Sequence, residues 1–145
     1  MESIKVKRLR ENAILPTYGS LEAAGADLYA CLEQDLVIKP GESAFVPTGL
    51  AMEIPKGCAG LIYARSGLAC KRGLAPANKV GVIDSDYRGE FMVVLHNHGN
   101  QTQTISHGER VAQLVITPVL APAYEEASEL TDTKRASGGF GSTGK

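Results

Sequence analysis

Apolar and polar positions alternate in short runs along most of this 145-residue chain. Ile4-Lys5-Val6-Lys7-Arg8-Leu9 opens in near-alternation, which predicts a half-buried strand, because successive strand side chains point to opposite faces. Further runs predict strands over Ala26 to Cys31, Asp35 to Ile38, Ser43 to Val46, Leu50 to Ile54 and Cys58 to Ala64. Three more follow, over Glu90 to Leu95, Gln101 to Ile105 and Arg110 to Ile116. Turn chemistry separates them, as in Lys39-Pro40-Gly41-Glu42, Pro47-Thr48-Gly49, Ile54-Pro55-Lys56-Gly57, His98-Gly99-Asn100 and His107-Gly108-Glu109. Short strands at this spacing predict an all-β fold, an antiparallel sandwich, jelly roll or barrel. Only Ser66 to Arg72 leaves room for a helix, of roughly two turns.

The pattern stops after Pro122. Tyr124 to Lys134 is acidic and polar, and Arg135 to Lys145 is almost entirely small residues. The second stretch cannot bury enough apolar surface to hold itself in place. The expected organisation is therefore a β core over 1–122 and a flexible C-terminal arm over 123–145. Composition adds bounds: 43% hydrophobic residues is globular, and with 6% aromatics and no Trp the core must be mainly Val, Ile, Leu and Ala. Fifteen Lys plus Arg against sixteen Asp plus Glu leave a net charge of -1, which gives no broad footprint for nucleic acid. No segment approaches the length needed to span a bilayer, so no membrane partner is expected. Cys31, Cys58 and Cys70 show no CxxC spacing, which predicts reduced thiols in a cytoplasmic protein, all three serving as small buried hydrophobes.

Chemistry concentrates in polar islands. Asn78 to Gly89 packs two carboxylates, an amide, an aromatic ring and two turn glycines between apolar strands. Alternation through an extended segment would place Asp84 and Asp86 on one side, where they repel unless a cation, an arginine or water separates them. Ala64-Arg65-Ser66-Gly67-Leu68 ends a strand and begins the helix, with Ser66 as its expected cap; it is either a phosphate seat or a mere cap with a surface arginine. Asp27 in Ala24-Gly25-Ala26-Asp27-Leu28 is an unfavourable strand acid that terminates the strand or serves a ligand. Gly108-Glu109-Arg110-Val111-Ala112-Gln113-Leu114 sets Arg110 and Gln113 among apolar residues. The tail formally contains GxGxxG (Gly139, Gly141, Gly144), yet neither the strand before nor the helix after it that a dinucleotide site needs is present. It is a flexible tail, or a strap whose N–H groups wrap oligophosphate with Arg135 for charge and Phe140 for stacking. His96, His98 and His107 lack a repeated His-carboxylate cage and are expected to be structural or exposed.

These five islands, in this order and spacing, resemble the five motifs of the trimeric dUTP pyrophosphatases, over essentially the whole chain. The resemblance implies a jelly-roll-like subunit, a homotrimer and active sites shared among subunits. It implies hydrolysis of dUTP to dUMP and pyrophosphate by water attack at the α-phosphorus, keeping uracil out of DNA and supplying dUMP for thymidylate synthesis. Asp84 would orient or deprotonate the water. Asn78 and the backbone of Gly81, Val82 and Ile83 would read the uracil edge, and Tyr87 would lie beneath the deoxyribose. Arg65, Ser66, Gly67 and Gln113 would hold phosphates from a neighbouring subunit, Asp27 would support Mg²⁺ through water, and Arg110 would brace Asp84. From a third subunit, Phe140 would cover the uracil, and Arg135, Gly138, Gly139, Ser142 and Thr143 would take the phosphates. Two rivals are a dCTP deaminase-like enzyme and a non-catalytic nucleotide-binding β-protein. The first places its glutamate in the strand after the acidic hairpin, where Val94 stands here; the second is disfavoured by Asp84, Arg135 and Phe140 occurring together.

Overall fold

The structure, a computed structural model, describes residues 3–139 of the chain. The described residues form twelve strands and one helix, and every strand pairing is antiparallel. The largest sheet runs in the order β2 (Thr17–Tyr18), β3 (Ala26–Tyr29), β12 (Arg110–Pro118), β7 (Cys58–Tyr63) and β9 (Gly81–Ile83). A three-stranded sheet places β10 (Met92–Asn97) between β5 (Ser43–Pro47) and β8 (Leu74–Pro76). Two ribbons complete the body: β1 (Val6–Arg8) with β6 (Leu50–Met52), and β11 (Gln103–Ile105) with β4 (Leu36–Ile38). Helix α1 spans Ser66–Arg72.

All four sheets turn side chains into one core that includes Leu28, Ile38, Val46, Leu50, Ile62, Leu74, Leu95 and Leu114. Strand β10 shows the period-two pattern plainly: Val93, Leu95 and Asn97 are buried while Met92, Val94 and His96 are half-buried. Asn97 is buried at no cost in lost hydrogen bonds, because its amide donates to the carbonyls of Ile38 (2.9 Å) and Gln101 (2.7 Å) and accepts from the Gly99 N–H (2.9 Å). The jelly-roll-like, all-β body with one short helix matches the sequence expectation.

Details depart from it. Strands β2 and β8 were not legible, being two and three residues long with no period to read. The expected Glu90–Leu95 strand lies two residues later, because Phe91 leaves the ladder and donates its N–H to the Leu50 carbonyl (2.8 Å). Cys31 is buried, but Cys58 is half-buried and Cys70 exposed, so only the first fits the small-hydrophobe expectation fully. Beyond β12, Val119 donates to the Gly57 carbonyl (3.0 Å), and residues 120–137 are exposed. Among the described residues no helix is long and apolar enough to cross a membrane.

Candidate active site

Strand β3 buries Ala26 and Leu28 and thereby turns Asp27 and Tyr29 outward, which is how a strand interior tolerates the acid. The Asp27 carboxylate accepts from Arg65 Nε (2.7 Å) and Arg110 Nη1 (3.3 Å). Only 14% of its side chain is exposed, so the bond from Arg65 is partly shielded from water, while Arg110 remains half-exposed. Arg65 stands at the end of β7, just ahead of α1. It is the N-cap residue with extended backbone (φ -84°, ψ 129°), and no side chain caps the helix; Ser66, expected as cap, is the first helical residue.

Arg110 and Gln113 are three residues apart and would face opposite sides of a regular strand. A bulge between Arg110 and Ala112 absorbs one residue, so Arg110 pairs across from Tyr29 and Gln113 across from Asp27. Val111 and Ala112 are both buried as a result. Gln113 donates from Nε2 to the Ala64 carbonyl (2.9 Å). Its Oε1 lies against Gly25, where a Cβ would come within 2.5 Å of it. Asp27, Arg65, Ser66, Gly67 and Gln113 line a cavity of about 150 Å³. A larger one, about 520 Å³, adjoins it and adds Tyr29, Lys71, Arg72 and Arg110. Around the two concavities stand three guanidiniums, the Lys71 ammonium, a hydroxyl and an amide, against the carboxylates of Asp27 and Glu109, a cationic excess that suits a phosphate chain.

A second cluster is the hairpin. Strand β9 pairs with β7, Gly60 opposite Ile83 and Ile62 opposite Gly81. The Asn78 amide stands over Gly81, where a Cβ would sit 3.5 Å from Asn78 Nδ2 and 3.2 Å from the Ile62 Cβ. After Ile83 the chain leaves the sheet. Tyr87 N–H donates to the Asp84 carbonyl (3.2 Å), so residues 84–87 form a turn. Asp84 and Asp86 are therefore not related by strand alternation; both are exposed, and among the described residues neither makes an ion pair. Arg88 closes the turn by donating to the carbonyls of Ser85 (2.8 Å) and Tyr87 (2.9 Å). Tyr87 Oη donates to the Glu90 carbonyl (3.0 Å), and its ring covers Gly89 so closely that a Cβ there would clash.

Within one chain these clusters are apart. The hairpin turn follows Ile83, opposite Gly60, whereas Arg65 lies beyond the other end of β7; Gly60 to Tyr63 alone spans about 10 Å at the strand rise. Within the chain Arg110, expected to brace Asp84, bonds the Asp27 carboxylate. In the arm, Arg135 Nε donates to the Gly138 carbonyl (2.8 Å), and Gly138 N–H returns to the Arg135 carbonyl (2.9 Å). The described hydrogen bonds of residues 123–139 stay within the arm. Phe140, Ser142 and Thr143 lie outside the described residues. Among the histidines, His96 Nδ1 meets Ser43 Oγ (2.8 Å), and His107 Nδ1 accepts from the Leu32 N–H (3.2 Å).

A model of the dUTPase family matches residues 11–144, which takes in both clusters and the arm. The chain belongs to the dUTPase family. It is 50% identical over 142 residues to the deoxyuridine 5'-triphosphate nucleotidohydrolase of Syntrophotalea carbinolica, covering 98% of this chain and 97% of that protein. The enzyme of the same name from Desulfitobacterium hafniense is 50% identical over 149 residues and covered to 99% on both sides. Among solved structures, the Staphylococcus bacteriophage 80alpha dUTPase with dUpNHpp superposes with a TM-score of 0.92 at 28% identity, over 100% of both chains. A mutant dUTPase of S. aureus phage phi11, whose structure reveals the coordination of a structural Mg(II) ion, gives 0.80 at 27% identity over 88% of this chain and 98% of that one.

Two features of this dUTPase-family site were not singled out in the sequence. Gly25 makes room for Gln113, and the Ala64 carbonyl fixes that amide's orientation. Neither carries a polar side chain, so the only signal was a glycine beside an acid.

Proposed function

We propose that the chain is a dUTP diphosphatase, cleaving dUTP at the α-phosphorus to dUMP and pyrophosphate. The observation that carries this proposal is Asp84, presented to solvent on a turn directly after β9, where Asn78 folds over Gly81. A uracil lying along β9 would meet the backbone of Gly81, Val82 and Ile83 and the Asn78 amide. Tyr87, tied to the Glu90 carbonyl, would form the floor under the sugar. Asp84 would then accept a hydrogen bond from the attacking water and hold it in line with the α-phosphorus. The new bond joins the water oxygen to phosphorus as the bond to the leaving pyrophosphate breaks.

Arg65, Ser66, Gly67 and Gln113 would hold the phosphates, with Arg65 and Arg110 aimed by the one carboxylate of Asp27. Because this cluster and Asp84 stand at different ends of β7, one substrate needs them from two copies. The proposed assembly is a homotrimer with shared sites. An apolar row supports a covered sheet face: Leu61 pairs with Val82 on one side and Val115 on the other, and Val82 is exposed. The proposed units are a core over 1–122 and an arm over 123–145 that closes on the phosphates with Arg135, Gly138, Gly139, Ser142 and Thr143 and on the base with Phe140.

Mg²⁺ fits this donor set as a companion of the triphosphate. No group of three His, Cys, Asp or Glu able to hold a metal occurs among the described residues, and both Asp27 oxygens already accept from guanidiniums. An ion that keeps its waters and binds phosphate oxygens asks only for such a carboxylate at one remove, so Asp27 would take hydrogen bonds from its waters. Bound there, Mg²⁺ supplies counter-charge to the phosphate oxygens. Three free thiols suit a reducing cytoplasm, where we place the enzyme.

The test is pyrophosphate release from dUTP, dTTP and UTP by the wild type and Asp84→Asn. Release from dUTP alone is expected, with Asp84→Asn losing most turnover, about 1000-fold if general-base help and water orientation both go, while binding of dUTP persists. Undiminished turnover in Asp84→Asn would remove that residue from the chemistry.

A further inference from the structure

The turn that bears Asp84 rests on a built foot. Its return leg reaches the body at Glu90 and Phe91, and Phe91 is fully buried. The Phe91 carbonyl accepts from Thr48 Oγ1 (2.7 Å), and Thr48 is itself fully buried. The Glu90 carboxylate makes three bonds. Oε1 accepts from Arg10 Nη1 (2.6 Å) and from the Gly49 N–H (2.7 Å), and Oε2 accepts from Arg10 Nη2 (3.3 Å). The pairing is bidentate, and the bond to Glu90 holds the Arg10 guanidinium above its ordinary pKa.

Gly49 is a firm anchor. Its φ is +69°, and a Cβ there would fall 2.8 Å from the Ala13 Cβ and 2.9 Å from Cys31 Sγ. Its carbonyl accepts from the Leu9 N–H (2.7 Å), next to Arg10. At the other end of the same residue, the Glu90 carbonyl receives Tyr87 Oη. Glu90 thus joins a packed glycine turn to the ring at the base of the Asp84 loop. The outgoing leg, β9, is secured separately by its ladder to β7.

We propose that Glu90, oriented by Arg10, is a positioning residue that sets the Asp84 turn relative to the substrate-reading strand. The proposal rests on dUTP hydrolysis as the activity and adds a residue pair that touches no substrate. Its two-legged geometry dictates a particular kinetic signature. Base recognition belongs to β9 and stays intact when Glu90 is cut back, whereas the water-orienting carboxylate drifts. A shift of an ångström in a reacting group can cost about 100-fold. Glu90→Ala should therefore lower kcat about 10- to 100-fold, with KM for dUTP within about twofold.

The experiment measures kcat and KM for dUTP in wild type, Glu90→Ala, Glu90→Gln, Arg10→Ala and the Arg10→Ala/Glu90→Ala double variant, normalised to the folded fraction by circular dichroism. Glu90→Gln keeps an oxygen that accepts from Gly49 and should recover to within about threefold of wild type. The double variant should be no worse than Glu90→Ala alone, since Arg10 acts through Glu90. A kcat within twofold of wild type in Glu90→Ala, an additive double variant, or a Glu90→Gln no better than Glu90→Ala would overturn the proposal. Hydrogen exchange at the amides of Ser85 to Gly89 keeps the two levels apart. It should quicken in Glu90→Ala whatever the substrate is, and unchanged exchange there counts against the clamp. Absence of pyrophosphate release by the wild type counts against dUTP hydrolysis only.

Discussion

Gly25 and Gln113 share one space. A methyl group at residue 25 would sit 2.5 Å from Gln113 Oε1, and the amide could not keep both that place and its bond to Ala64. Gly25→Ala should therefore swing Gln113 out of the phosphate cavity. The expected result is a KM for dUTP several-fold higher at nearly constant kcat, with a stability loss of about 1–3 kcal/mol from overpacking; steady-state kinetics and thermal unfolding check both. Asp27 shows what single residues reveal and conceal. An acid in an apolar strand marked itself as special in the sequence. That it gathers Arg65 and Arg110, from elements 38 and 83 positions away, could not be read there. The bulge that turns Arg110 toward it depends on how β12 pairs with β3, and no residue in Arg110-Val111-Ala112 announces it.

At the scale of elements, α1 has seven residues and no side-chain N-cap, too short to persist alone. Its one buried residue, Leu68, and its C-cap hold it. Gly73 adopts φ +66° there, its N–H bonds the Ala69 carbonyl (3.0 Å), and a Cβ would come 2.8 Å from the Gly99 N. Gly73→Ala should cost about 1–3 kcal/mol by strain and clash together, and amides of the helix should exchange faster before global unfolding, which native-state hydrogen exchange would report. The helix was legible because Leu68 to Arg72, between the strand ending at Ala64 and Gly73, carries neither strand alternation nor a turn residue. Strands β2 and β8 were not, since two or three residues carry no period and exist only through partners already in place.

At the scale of the molecule, the separation of the Asp84 turn from the Arg65 cluster predicts complementation between inactive variants. Asp84→Asn and Arg65→Ala, unfolded together and refolded as a mixture, should regain about a quarter of wild-type turnover if each site draws those residues from two copies. Sites confined to single chains would give none. Deleting residues 134–145 should abolish most turnover yet leave the melting temperature of the body unchanged, because residues 134–137 are exposed and the described arm bonds only to itself. Unaltered activity in the shortened chain would remove the arm from catalysis. The sequence by itself determined the strand class, helix α1, the family and the chemical types of the candidate residues. Those follow from period, turn chemistry and the order of five polar islands, all properties of neighbours along the chain. Only the tertiary structure decided that Arg110 and Arg65 share Asp27, that Glu90 grips Arg10 and Gly49, and that the Asp84 turn and the Arg65 cluster lie apart within one chain. Such pairings are set by register, bulges and close packing between distant segments, which local pattern does not encode.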